Sequence, residues 1–61
     1  METTIYTGDI IYLKSGGPAM TALTVEYKYP YNIWLCYWFC NGELRSSKFE
    51  EVLLTKEIPQ L

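Results

Sequence analysis

Apolar residues occur along this chain in short runs, broken by glycine, proline and asparagine. In the first clear run, residues 10–14, Ile11 and Leu13 share one face of an extended strand and Ile10 and Tyr12 share the other. Ser15-Gly16-Gly17-Pro18 ends it: two glycines admit positive φ, and Pro18 has no amide hydrogen for a sheet ladder. Residues 20–27 predict a second strand, because Thr21, Thr24, Val25 and Tyr27 suit a pleated, half-buried surface. Its facing is ambiguous, since Met20 and Ala22 alternate with Thr21 and Leu23. Lys28-Tyr29-Pro30-Tyr31-Asn32 reads as a loop, with Pro30 biasing Tyr29 towards extended geometry. The unbroken apolar run from Ile33 to Cys40 predicts a third strand.

Asn41-Gly42 is the strongest local signal. Between two strands it favours a two-residue hairpin turn in which both central residues take positive φ. A register follows: Cys40 opposes Glu43, Phe39 opposes Leu44, Trp38 opposes Arg45, Cys36 opposes Ser47 and Trp34 opposes Phe49. One face then holds Trp34, Cys36, Trp38 and Phe49, and the other holds Ile33, Leu35, Tyr37, Phe39 and Leu44. After the hairpin two patterns compete. Residues 43–49 fit a fourth strand, yet Ser47-Lys48-Phe49-Glu50 matches a capping box, and Phe49, Val52, Leu53 and Lys56 have helical spacing. The strand reading is favoured, followed by one helical turn through Glu50-Glu51 and a short last strand over residues 52–55.

The expected fold class is all-β, with five mostly antiparallel strands. Ile11, Leu13, Met20, Val25, Trp34, Cys36, Trp38 and Phe49 are its expected core. The 61 residues make one domain, 1–61, with 1–7 and 57–61 as terminal segments. A domain of this size buries only about 60% of the surface its unfolded chain exposes, so its few large aromatics carry much of the core. An antiparallel sheet usually keeps one face polar, and a small barrel has one interior. The odd-numbered row of the third strand therefore needs other cover: the tail with Ile58 and Leu61, or more completely a second copy in a homodimer.

The net charge is -2, with five cations scattered among seven acids, which makes a poor electrostatic footprint for nucleic acid. Cys36 and Cys40, four apart on one strand, have Cα atoms about 13 Å apart at ~3.3 Å per residue, too far for a disulfide. With no histidine, a Cys-His nucleophile pair is excluded, and two cysteines fall short of a structural zinc site. Cys36 reads as a small core hydrophobe, and Cys40 lies near a turn. Ser15-Gly16-Gly17 could form an anion-binding nest, but it lacks the Gly-Lys-Ser/Thr ending of a phosphate loop and reads as a bend. Glu50-Glu51, and Glu43 with Asp9, read as solvated carboxylates rather than an acid–base pair. No enzyme activity, cofactor or metal is expected. The acidic N-terminus has no basic leader region and the longest apolar run is far short of a membrane span, so a cytoplasmic protein with no membrane partner is expected.

Several segments carry a family likeness: Gly8-Asp9, Leu13-Lys14-Ser15-Gly16-Gly17-Pro18, Met20-Thr21, Cys36, Trp38-Phe39, Gly42 and Phe49. Together they resemble the YodC-like family of uncharacterised small bacterial proteins, over roughly residues 8–53. The resemblance implies a compact SH3-like β-barrel and no catalytic or binding residues. The sequence departs from the family pattern at Tyr29-Pro30-Tyr31 and in a longer tail. Gly8-Asp9-x-Ile11-x-Leu13 also resembles the KOW motif of ribosome- and transcription-associated proteins, over one strand.

The tyrosines are the main candidate chemistry. Tyr27, Tyr29 and Tyr31 alternate around Pro30, and aromatic grooves hold extended peptides or stack single-stranded nucleic acid. With Leu35, Tyr37, Phe39 and Leu44 they form the candidate interaction surface. The expected function is a small interaction module for a protein or peptide partner, or for itself. The alternative is a KOW-like nucleic-acid-binding accessory, with nucleic acid the less favoured partner.

Overall fold

The computed structural model describes residues 4–58. Among the described residues five strands form the fold: β1 (Ile10–Leu13), β2 (Met20–Glu26), β3 (Ile33–Cys40), β4 (Glu43–Glu50) and β5 (Leu54–Thr55), with a 3-10 turn (Glu51–Leu53) before β5. They lie in the order β4-β3-β2-β1-β5, and each neighbouring pair is antiparallel. This is an all-β, small barrel-like architecture.

The β3–β4 hairpin has the register expected of its turn, from Cys40 opposite Glu43 to Ile33 opposite Glu50. Asn41 and Gly42 take φ of 53° and 81°, both in the left-handed region that the turn demands. Ladder pairing holds Ser47–Glu50 extended, so the capping-box pattern starts no helix there. The helical turn comes one residue later than expected, at Glu51, whose amide donates to the Asn32 carbonyl at 2.7 Å.

The ambiguous facing of β2 has a physical cause. Ala22 pairs with Cys36 but Thr24 pairs with Leu35, so a bulge at Leu23 shifts the alternation. Met20 and Ala22 point inward before it, and Val25, opposite Trp34, points inward after it. Backbone groups at the bulge are satisfied by the preceding segment. The Ala22 carbonyl accepts from the Gly8 amide at 2.8 Å, and the Leu23 carbonyl accepts from Thr7 Oγ1 at 2.9 Å.

Ile5, Ile11, Met20, Ala22, Trp34, Cys36 and Leu54 are the buried core. Leu13, Val25, Trp38 and Phe49 pack around its margin, with the Trp38 and Phe49 rings 6.3 Å apart between centroids. Thus four of the expected core residues lie at the margin. They sit near strand ends or opposite the edge strand, where no further layer covers them. Ala22 enters the core by alternation with Met20 and its pairing with Cys36, and Leu54 enters because the 3-10 turn brings β5 back against β1.

Ile5 is held in the core by a clamp. The Asp9 carboxylate accepts from the Tyr6 amide at 2.8 Å and pairs with Lys56 Nζ at 3.3 Å. Lys56 also donates to the Thr4 carbonyl at 3.1 Å and stands 5.8 Å from the centre of the Tyr6 ring. The segment before β1 is thereby tied to the residue after β5. The Tyr6 amide holds the Asp9 carboxyl below its ordinary value of 3.8, against the opposing effect of burial and with further help from Lys56.

Two predictions follow from the packing and the clamp. Trp34, only 4% exposed, fills the centre of the core, so Trp34→Ala should lower unfolding stability by about 3–5 kcal/mol. The marginal Trp38→Ala should cost less, and urea melts of both variants check the order. Because Asp9 titrates lower folded than unfolded, its contribution is present above about pH 3.8 and disappears as pH falls through the depressed folded value. Asp9→Asn should therefore be less stable than wild type at pH 7, with the gap closing as pH falls below 3.8, as read from urea midpoints along a pH series.

Candidate functional site

The outer face of the sheet divides into two halves. Near the 28–32 loop, Lys48 on β4 and Glu26 on β2 flank β3, and their ion pair, 3.8 Å long, crosses above Ile33 and Leu35. Both charged groups are well exposed, so the pair adds little stability, but the Lys48 stem covers apolar surface. Ile33 and Leu35 are accordingly half-buried. At the hairpin end the cover stops: Phe39 is 72% and Leu44 57% exposed.

These two side chains stand opposite each other and border an open apolar groove of about 550 Å³. Ile10, Pro18, Leu23, Tyr37 and Trp38 are among the other residues that line it. Ile10 enters because it pairs with Thr21, which pairs with Tyr37, so all three share the outer face. Leu23 enters because it alternates with the inward Ala22. Alternation of Ile10 with Ile11 signals the outward side chain of Ile10. Alternation of Leu23 with Ala22 signals its outward side chain in the same way once Ala22 faces inward.

The candidate residues do not form one surface. Phe39 and Ile33 lie six positions apart on β3, about 20 Å at ~3.3 Å per residue. Tyr37, Phe39 and Leu44 thus sit at one end of the sheet, while Tyr27, Tyr29 and Tyr31 sit at the other, with Leu35 under the ion pair between them. Tyr29 is 98% exposed, beside a cis Tyr29–Pro30 bond. Tyr31 lines a recess of about 340 Å³ with Lys14, Glu51 and Val52. Tyr27 lines another, of about 270 Å³, with Tyr6, Trp34 and Glu51. Ile58 is exposed rather than laid over the odd-numbered row, and Leu61 lies outside the described residues.

Glu51 is more than a solvated carboxylate. Its Oε1 accepts from Trp34 Nε1 at 3.0 Å and from Asn32 Nδ2 at 3.4 Å. Asn32 Oδ1 in turn accepts from the Lys28 amide at 3.2 Å, closing the loop. The Ser15-Gly16-Gly17 bend spends an amide internally, Gly16 N–H donating to the Leu13 carbonyl at 2.9 Å. Both cysteines are free thiols. Cys36 is buried, its Sγ contacts the Trp34 carbonyl at 3.7 Å, and burial pushes its pKa up to about 11. Cys40 is exposed at the hairpin. Among the described residues no three His, Cys, Asp or Glu side chains group as a metal site, and no helix is long and apolar enough to cross a membrane.

Against known families, residues 6–54 match the model of the uncharacterized small protein family DUF2158. The match spans every strand but the last residue of β5, and the chain belongs to that family. No curated protein and no solved structure matches the chain.

The two thiols should react differently. At pH 8, native protein should be labelled rapidly at Cys40 alone, because a thiol of pKa about 11 holds only about one thiolate in a thousand there and is also covered. Mass spectrometry should find one label natively and two in urea.

Proposed function

We propose that this chain is a non-catalytic interaction module that binds a polypeptide partner, including a second copy of itself, through the apolar groove at the hairpin end. The observation that carries this reading is the groove bordered by Phe39 and Leu44, open at the surface and lined by Ile10, Leu23 and Tyr37. Contiguous exposed apolar surface of this kind usually marks an interaction site. The strand order, with a 3-10 turn leading into a short β5 beside β1, supports an SH3-like barrel of the YodC-like kind. Two unbridged thiols suit a reducing, cytoplasmic setting. The KOW-like alternative is weaker electrostatically: Arg45, Lys48 and Lys56 each lie beside a carboxylate, at 3.2, 3.8 and 3.3 Å.

The test is sedimentation equilibrium with Phe39→Glu as the control. Wild type should associate with concentration, and the variant should associate about tenfold or more weakly, the loss typical of a buried aromatic anchor. Its melt should stay close to wild type, since Phe39 is exposed. Association should change little between about 50 and 200 mM salt, whereas phosphate binding would fall steeply. A strictly monomeric wild type removes self-association. Equal recovery of host proteins by wild type and Phe39→Glu would remove the groove as well.

A further inference from the structure

The recess at the other end of the sheet has a different chemistry from the groove. Four separate segments converge on it: Tyr6 from the stretch before β1, Tyr27 just after β2, Trp34 on β3 and Glu51 at the start of the 3-10 turn. Ile5 and Val25 add apolar wall. Tyr6, Tyr27, the nearly buried Trp34 and the Glu51 carboxylate, with Thr4, Thr7 and Asn32 also in the lining, surround about 270 Å³, a space suited to a head group rather than a drug-sized ligand.

We infer that this recess is a binding site for a trimethylammonium group, as carried by choline or a trimethylated lysine side chain. Aromatic faces attract cations through the ring quadrupole, and quaternary ammonium groups are the cations such cages recognise. A primary ammonium must find hydrogen-bond acceptors when it leaves water. A permethylated one needs none, and its methyl groups gain by contact with Ile5 and Val25. Glu51 supplies the counter-charge and stays oriented by Trp34 and Asn32. The nearby Lys56 is neutralised by Asp9 at 3.3 Å, and its ammonium already lies 5.8 Å from the Tyr6 ring centre, so that ring takes part in one cation–π contact in the free protein. The site is independent of the hairpin-end groove.

The experiment is an NMR titration of the full chain with choline and, separately, with trimethyllysine, following the Trp34 indole N–H. Controls are unmodified lysine and the neutral tert-butyl isostere of choline. A saturable shift with either trimethylammonium compound is expected, at least about tenfold tighter than with the isostere, and the tighter of the two names the source. Tyr27→Ala, at a residue 81% exposed, should weaken binding about tenfold without lowering the melt. Glu51→Gln keeps the acceptor for Trp34 and should weaken it similarly, and Phe39→Glu should leave it unchanged. No saturable shift with either compound, or equal binding of the isostere, overturns the assignment.

Discussion

The constraint on which the structure depends is the parity of β3. This strand is apolar on both faces, so hydrophobicity alone does not choose which face is buried. The Asn41-Gly42 turn sets its pairing with β4, and a slip of one residue would move every side chain to the opposite face. Pairing to β2 then places Trp34 and Cys36 against Ile11, Met20 and Ala22. The hydrogen bond from the Trp34 indole to Glu51 adds a directional term, since a buried indole N–H without an acceptor would be costly. The even-numbered row is the interior for these reasons, and Tyr37 and Phe39 are turned out.

A domain this small closes its interior with its ends. Ile5 and Leu54 come from opposite ends of the described chain and meet in the core. The contacts that hold them are polar and lie outside it: Asp9 with Tyr6, and Lys56 with Asp9 and Thr4. The same segment satisfies the β2 bulge through Gly8 and Thr7. The stretch before β1 therefore serves as a strap across the sheet, and the position of Tyr6 beside the Trp34 recess is a consequence of that role.

The surplus apolar surface of β3 is treated differently at its two ends. Near the 28–32 loop an ion pair spans the strand and shields Ile33 and Leu35. At the hairpin, Arg45 and Glu43 pair on the face of Trp38, and among the described residues no ion pair crosses the opposite face above Phe39 and Leu44, which stay bare. Charges on an edge strand usually serve to discourage unwanted pairing.

The local chemistry of the sequence was enough to determine the strand succession, the hairpin and its register, the bend at Gly16-Gly17 and the inward face of β1. In each case the signal is steric and acts between near neighbours: positive φ at Asn41 and Gly42, alternation of Ile11 with Ile10, a missing amide at Pro18. Part of the candidate surface was legible in the same way, since Tyr37, Phe39 and Leu44 share a face by period and register. Tertiary structure alone decided the rest. It placed Ile5, Ala22 and Leu54 in the core, moved Trp38 to the margin, and separated the loop tyrosines from Phe39 and Leu44. These outcomes depend on which strands pair and on contacts such as Lys56 with Thr4, which join residues far apart in the chain. Alternation along a strand carries no record of such contacts, because their geometry exists only after the sheet has closed on its own termini.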